Sequence, residues 1–289
     1  MLILFTDSDT DMTPEMCAEY GYNLISMPYS VDGKTIYPYV DFKEFDSRAF
    51  YDGLRGGWLP NTSAISVDQY IEYFEPHFAA GNDIFYVHFS RAMTITFDNM
   101  DEALKILKEK YPERKFYEVD TKGITTISCA IVRAIGELFK AGKTPEEVLE
   151  WASVEVDKHA MYFFADDLKF FKHSGRVSGI AGTMGTLLGI RPIIHMSGEG
   201  KMVSVGKEKG RPKAIARLLA YMDELGDDIT GHPVYIGHTD APELVEELAT
   251  ALREKYGDAL NLRVVVVNPT AGSHCGPNGI GVCFHAIHR

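Results

Sequence analysis

The alternation of short apolar strands with helical segments is the feature that most restricts how this chain can fold. Apolar runs at Leu2–Thr6, Asp83–Phe89 and Lys115–Val119 are separated by segments that carry helix start signals. Capping boxes at Ser66–Gln69 and Thr144–Glu147 mark two of these starts. Strands that alternate with helices favour a mainly parallel sheet covered by helices on both faces. We therefore predict an α/β domain for the first half of the chain.

The second half also alternates strands and helices, but it contains a predicted hairpin. Arg191–Met196 and Met202–Val205 flank the glycine-containing turn Gly198–Gly200, which favours antiparallel pairing. A third capping box is predicted at Asp240–Glu243. We expect a mixed sheet here. A chain of 289 residues suits two compact units, and we place their boundary near Asp157, with α/β domains at residues 1–157 and 158–289.

Three polar turns fall at or beside the ends of predicted strands in the first half. They follow Phe5, occupy Asn61–Ser66 and follow Phe89. Ligands of open α/β sheets bind beyond the carboxyl ends of the strands. We therefore expect these distant turns to meet at one binding site.

A glycine-rich stretch near the end of the chain also points to a ligand. The apolar run Val264–Val267 continues into Asn268–Gly281, which contains four glycines, two prolines and His274. Glycines let the backbone approach a ligand closely, and a neutral histidine donates a hydrogen bond to an anion. We predict a loop that forms one wall of a carboxylate site. The alternative is a tight connection between two strands, with His274 capping a backbone carbonyl.

The net charge of −12 and the pI near 5.3 disfavour nucleic acid as a partner, because such binders concentrate lysine and arginine on one face. No apolar run approaches the roughly 20 residues of a membrane span. The five apolar residues at the N-terminus are too few for a signal peptide. We expect a cytoplasmic protein with no stable membrane insertion. Its four cysteines form no Cys-x-x-Cys pair and are expected to be reduced.

An enzymatic interpretation rests on the aspartates that follow the first strand. Asp7 and Asp9 resemble the two aspartates of haloacid-dehalogenase-type phosphatases, one of which attacks phosphate while the other acts as general acid. Asp166 and Asp167 follow a later strand and could bind Mg²⁺. The alternative role of Asp7 and Asp9 is helix and turn capping. A Mg²⁺-dependent phosphatase therefore stays open beside a binding function.

Six blocks in order along the chain resemble motifs of one protein family. The blocks and the motifs they resemble are Thr6–Asp11 (TDSxxDL), Thr62–Ser66 (TSxPS), Asp166–Ser178 (DDLxxLxxGGRIS), Ile190–Ile193 (IKPI), Gly206–Gly210 (GKVRG) and Gly272–Pro277 (GTHTGP). Together they resemble the DegV family, the bacterial fatty-acid-binding proteins. No block is decisive alone, but the ordered set is specific.

The resemblance implies two α/β domains with one long-chain fatty acid between them. It implies a non-catalytic protein that uses no metal or cofactor and hands the bound carboxylate to a separate fatty-acid kinase for phospholipid synthesis. The head-group residues expected from it and from the neighbouring sequence are Thr62, Ser63, Ser90, Arg91, Arg176, Ser273, His274 and Cys275. The expected tunnel residues are Ile65, Met93, Ile95, Ile180 and Leu187, although each could also be ordinary core.

One block departs from the family pattern. The family's SSGLSGTY turn appears here as Ser90–Phe97, with Arg91 in place of the second serine. An arginine there could form a bidentate pair with a carboxylate, or it could point into solvent or narrow the pocket. A third interpretation of the whole chain is a structural or regulatory module with a fortuitous cavity, which would bind no ligand and hydrolyse nothing.

Overall fold

The computed structural model describes residues 1–166, 168–179 and 189–289. Its strands are β1 (Leu2–Asp7), β2 (Tyr22–Ile25), β3 (Tyr29–Val31), β4 (Lys34–Ile36), β5 (Asn61–Thr62), β6 (Asp83–His88), β7 (Phe116–Asp120), β8 (His159–Ala165), β9 (Val177–Ser178), β10 (Ile190–Met196), β11 (Met202–Lys209), β12 (Val234–His238), β13 (Leu262–Val266) and β14 (Gly279–His285). Its α-helices are α1 (Pro14–Tyr20), α2 (Ser47–Arg55), α3 (Val67–Ala79), α4 (Thr96–Lys110), α5 (Thr126–Lys140), α6 (Pro145–Glu155), α7 (Lys169–Ser174), α8 (Arg211–Leu225), α9 (Pro242–Tyr256) and α10 (Pro269–Cys275).

The first sheet is parallel throughout, in the spatial order β2-β1-β6-β7. Helices α3 and α4 cover one face, where Phe74 and Met100 are fully buried against the sheet residue Tyr86. Helix α5 lies against the other face, with Ile127 and Ile131 packed near Phe85. Parallel strands buried on both faces match the prediction for the first half, which is confirmed.

The second sheet is mixed, in the order β13-β12-β14-β8-β10-β11-β9. The predicted hairpin is present as β10 and β11, which pair antiparallel. The β12–β13 and β11–β9 pairs are parallel, whereas β14 pairs antiparallel with both β12 and β8. A third, three-stranded antiparallel sheet of β4, β3 and β5 carries Thr62 at the end of β5.

Helix α5 joins the two large sheets through one continuous core. Its fully buried residues Ile127, Ile131 and Ile135 belong to the same apolar cluster as Val119 of β7 and Met161 of β8. Each such side chain stabilises the fold by about 1.5–3 kcal/mol through burial. Because α5 packs on both sheets, the division into residues 1–157 and 158–289 stays a prediction.

Two of the three predicted capping boxes are confirmed. Ser66 and Gln69 exchange side-chain and backbone hydrogen bonds at the start of α3, and Thr144 with Glu147 does the same for α6. The third box is wrong. Helix α9 has no side-chain cap, because the carboxylate of Asp240 pairs instead with the Arg55 guanidinium at 2.6 Å.

The predicted glycine-rich loop is also wrong in its first half, which is helix α10. The Asn268 side chain caps this helix by accepting a hydrogen bond from the Ala271 amide at 3.0 Å, and Pro269 occupies the first helical position. Gly276, with a φ of +71°, ends the helix. Gly272 lies inside this helix. A Cβ at this position would lie 2.5 Å from the Tyr51 hydroxyl oxygen, so the close packing requires glycine. Among the described residues, no helix is long and apolar enough to cross a membrane.

Candidate functional site

A cavity of about 540 Å³ lies between the two large sheets. Its lining comes from the turns after β1, β5 and β6, from α10, and from strands β8, β10, β11, β12 and β14. The three polar turns therefore lie together around one cavity. The five strands that line the cavity are neighbours in the second sheet. At a spacing of about 4.8 Å between strands, they extend over about 19 Å. The volume is within the range of about 300–1,000 Å³ that is typical of small-molecule sites.

Most of the wall is apolar and unusually rich in methionine. Among the described residues, five methionines line it, which are Met27, Met93, Met161, Met196 and Met202. Methionine is unbranched and flexible, so it adapts to the shape of an apolar ligand. Phe89, Phe163, Phe164 and Phe171 also line the cavity. The cavity therefore suits a long hydrocarbon.

The mouth of the cavity carries a pair of hydrogen-bonding side chains. The Thr62 hydroxyl at the end of β5 lies 2.9 Å from Nε2 of His274 in the last turn of α10. Both residues line the cavity, as do the exposed residues Ser63 and Ile95 beside them. The short strand β5 and the helix α10 thus bring together two side chains that are 212 positions apart.

His274 is held in its neutral form. Burial lowers the pKa of its imidazole to about 4, and the positive charges of Arg176 and His173 lower it further in the same direction. At neutral pH the ring therefore carries one N–H donor and one acceptor nitrogen. A neutral donor at the mouth can bind an anion without a fixed counter-charge.

Arg176 lies exposed at the same mouth. Its guanidinium donates to the Ser174 carbonyl at 2.5 Å. Within the described parts of the chain, no carboxylate forms an ion pair with it. Its charge is therefore available to an anion at the mouth or to a partner that docks there.

The structure divides the residues expected from the sequence into two groups. Those that line the cavity are Thr62, Ser63, Arg176, His274, Cys275, Met93 and Ile95. Those that do not are Ser90, Arg91, Ser273 and Ile65. Ile180 and Leu187 lie outside the described residues.

Ser90 makes two hydrogen bonds within the protein. Its hydroxyl donates to the Gly200 carbonyl at 2.8 Å and accepts from the Ala92 amide at 3.2 Å. A Cβ on Gly200 would meet this hydroxyl at 2.2 Å, so the glycine permits the approach. Ser90 thus ties the turn of the β10–β11 hairpin to the first sheet.

Arg91 is turned away from the cavity and paired with two acidic side chains. It forms a bidentate pair with Asp101 at 2.9 and 3.0 Å, and its Nε donates to Glu118. Burial alone would raise the pKa of Glu118, but hydrogen bonds from His88 and Arg91 bring it down to about 2. The arginine that departs from the family pattern is therefore satisfied inside the first domain.

Ser273 and Ile65 are also engaged elsewhere. The Ser273 hydroxyl donates to the Pro269 carbonyl one helical turn earlier, at 2.8 Å. Ile65 is fully buried in the core beside Tyr70 and Phe74. Neither residue is therefore included in the site that we propose below.

Two aspartates of the phosphatase alternative, Asp7 and Asp166, are engaged in contacts within the protein. Asp7 is fully buried outside the cavity lining, and its carboxylate accepts from the Tyr86 hydroxyl and from the amides of Phe89 and Asp9. Burial raises the pKa of Asp7 to about 7 against these hydrogen bonds and the charge of His88. Asp166 pairs with two arginines, and Asp167 lies outside the described residues. No observation supports the phosphatase.

The sequence interpretation missed four polar residues of the cavity lining, which are Asp9, Thr125, His238 and Thr239. Asp9 has only a capping or phosphatase interpretation in the sequence. The available signal for His238 and Thr239 was their position at the carboxyl end of strand β12, like that of the three turns above.

The family model of DegV proteins matches residues 1–286 of this chain. The chain belongs to the DegV family. A DegV domain-containing protein of Clostridium perfringens is 29% identical over 282 residues, which cover 98% of this chain and 96% of that protein. The motif blocks found in the sequence therefore reflect true family membership.

Solved DegV structures share the fold along the whole chain. DegV of Bacillus subtilis, a fatty acid binding protein, superposes with a TM-score of 0.83 at 22% identity and covers 99% of each chain. A DegV family protein of Eubacterium eligens, loaded with heptadecanoic acid, gives a TM-score of 0.83 at 21% identity, covering 99% of this chain and 100% of that one. At such identities the likeness establishes the fold of two α/β domains.

Proposed function

We propose that this DegV protein binds one long-chain fatty acid in the cavity between its sheets. The observation that carries the proposal is the pairing of a methionine-rich apolar wall with a neutral Thr62–His274 pair at the mouth. The acyl chain would lie along the wall. The carboxylate would accept hydrogen bonds from Thr62 and His274, with Ser63 and Arg176 beside it.

The binding energetics favour an acyl chain along the apolar wall and a carboxylate at the mouth. Each CH₂ buried from water contributes about 0.8 kcal/mol, so a long chain supplies most of the binding free energy. A buried carboxylate must be hydrogen-bonded, because an unpaired one loses its hydration without replacement. The mouth supplies donors near the surface, and the wall needs none.

We further propose that the bound carboxylate is presented to a fatty-acid kinase. The mouth opens beside the exposed Arg176, so the head-group stays near the surface while the chain is enclosed. The DegV protein then acts as the acyl carrier and the kinase supplies the phosphoryl transfer. This role places the protein in the cytoplasm as a non-catalytic partner.

The proposed ligand is expected to accompany the protein during purification. We expect native mass spectrometry of protein expressed in bacteria to show a one-to-one adduct, which denaturation releases as a fatty acid. Delipidated protein should regain the adduct when stearate or oleate is added. A protein that stays free of lipid and binds neither acid contradicts the proposal.

Fatty-acid binding is expected to strengthen as the pH falls towards about pH 4, over the interval between the pKa of His274 in the complex and its pKa in the free protein. Without ligand the pKa of His274 is about 4. A carboxylate beside the ring favours the imidazolium and raises this pKa, so the complex takes up protons that the free protein does not. Titration calorimetry with laurate should show an affinity that rises on acidification in the wild type. The slope should be absent in His274→Leu, and equal slopes in both proteins would exclude this role for His274.

A further inference from the structure

One wall of the cavity is a short segment after strand β6. Its four residues Ala92, Met93, Thr94 and Ile95 all line the cavity. Ala92 is exposed, and the side chain of Ile95 is 68% exposed. The segment therefore lies where the cavity opens to solvent. Because burial of its own side chains contributes little, contacts at its two ends must hold the segment in place.

The contacts at the later end are short hydrogen bonds. The Thr96 hydroxyl accepts from the Ile65 amide at 2.9 Å, and Asn99 donates to the Ile65 carbonyl at 2.7 Å. Ile65 itself is fully buried in the core. The start of helix α4 is thus firmly attached to the turn before α3.

The backbone contacts at the earlier end are longer. A single 3₁₀ turn begins at Arg91, whose carbonyl accepts from the Thr94 amide at 3.4 Å. The Arg91 amide donates to the Asp120 carboxylate at 3.3 Å. Both distances exceed the usual 2.7–3.2 Å of an N–H···O hydrogen bond, so these contacts are weak. The backbone of this turn therefore depends on additional contacts from its side chains.

The Arg91 side chain supplies the strongest of these contacts. Its guanidinium forms a bidentate pair with Asp101 of helix α4 at 2.9 and 3.0 Å, and its Nε donates to Glu118 of strand β7. It also lies over the Phe97 ring, 5.5 Å from the centroid. A bidentate pair fixes the orientation of a planar guanidinium as well as its distance. Two different elements thus hold residue 91.

These contacts disfavour a rotation of Arg91 towards a ligand. Such a rotation would break both hydrogen bonds to Asp101 and the one to Glu118. Glu118 is already bonded to the fully buried His88 at 2.7 Å, so it stays in position as an acceptor for Arg91. The charge of Arg91 is therefore used within the protein.

We propose that Arg91 is a positioning residue for fatty-acid binding. By pairing with Asp101 and Glu118, it holds the segment 92–95 in its cavity-lining position before the ligand enters. A wall that is already ordered does not have to be ordered during binding, which strengthens the affinity. This inference rests on the proposed fatty-acid binding and adds a residue that acts on the site without contacting the ligand.

The test compares laurate with 1-dodecanol, which has the same chain length and no charge. Arg91→Met keeps a long side chain and removes the ion pairs. We expect it to bind both ligands about tenfold more weakly, by the same factor, because the wall must then be ordered on binding. If Arg91 contacted the carboxylate instead, only laurate would bind more weakly. Calorimetry on delipidated protein measures both affinities.

Asp101→Asn provides a second variant that leaves residue 91 unchanged. Asp101 is half-exposed and does not line the cavity, so the variant should fold normally. We expect laurate to bind about threefold more weakly, with no further loss when Asp101→Asn is added to Arg91→Met. The matched control is Glu102→Gln, since the neighbouring Glu102 pairs with Lys105 at 3.0 Å. This control should keep the wild-type affinity.

The outcomes separate this inference from the proposed function. Wild-type protein that binds no fatty acid removes both. Wild-type binding of laurate together with unchanged affinity in Arg91→Met and Asp101→Asn overturns only the role of Arg91. Tighter laurate binding in Asp101→Asn also overturns it, because an arginine that contacts the carboxylate gains from the loss of its competitor. Thermal unfolding of each variant shows that it is folded at the temperature of the calorimetry.

Discussion

Removing both hydrogen-bonding groups at the mouth is expected to weaken fatty-acid binding at least 100-fold. In the double variant Thr62→Val, His274→Leu, the carboxylate would enter the cavity with no partner from either side chain. Hydrogen bonds to charged groups contribute about 1.5–3 kcal/mol each, which is roughly tenfold or more per group. Titration calorimetry with stearate on delipidated protein measures the loss. Each single variant should lose about tenfold.

The same double variant should fold almost as well as the wild type. The Thr62 hydroxyl and the His274 ring bond to each other at 2.9 Å, so removing both leaves neither one unpaired. The matched control is Ser273→Ala in the same helix as His274. The Ser273 hydroxyl donates to the Pro269 carbonyl, and Ser273 does not line the cavity. Full affinity in the double variant, or a large loss in the control, would show that the head-group binds elsewhere.

Local patterns in the sequence predicted most of the fold correctly. The capping boxes at Ser66 and Thr144 each use contacts within three residues, so the sequence contains all of the interaction. The parallel and mixed sheets followed from the alternation of strands and helices. Hydrophobic periodicity and capping are short-range signals, which is why they are readable without a structure.

The errors came from residues with long-range partners. Asp240 lies three residues before Glu243, as a capping box requires, but Arg55, 185 positions away, takes its carboxylate. Helix α10 looked like a loop because Gly272 has low helix propensity, and only the contact with Tyr51 explains why glycine is needed there. A contact with a residue so distant in sequence cannot be recognised from the local sequence pattern.

The family motifs led to some residues of the cavity lining but not to all of them. Thr62 and His274 come from motif blocks and lie together at the mouth, whereas Ser90 and Ser273 come from such blocks and do not line the cavity. Arg91 replaces a family residue, and its orientation depends on Asp101 and Glu118, which no motif includes. Asp9 stands at an open position of TDSxxDL, so the resemblance gave it no role. That Asp9 lines the cavity is visible only in the structure.

Asp11→Ala is expected to destabilise the protein by about 3 kcal/mol, since it removes the acceptor of several buried donors. Asp11 and Asn268 are 3% and 1% exposed, and Oδ1 of Asp11 accepts from the Asn268 amide at 2.9 Å and from its side chain at 2.8 Å. This contact fixes the turn after β1 to the start of α10, which carries His274. Urea unfolding at neutral pH measures the change in the free energy of unfolding.

The variant Asp11→Asn distinguishes the loss of the hydrogen-bond acceptor at position 11 from the loss of the negative charge there. Burial raises the pKa of Asp11 to about 7 against the hydrogen bonds from Asn268, so a neutral side chain already suits this position. The asparagine carbonyl can still accept from Asn268, and we expect a loss of less than about 1 kcal/mol. Equal losses in the two variants would mean that the charge of Asp11, rather than its role as acceptor, holds the two halves of the site together.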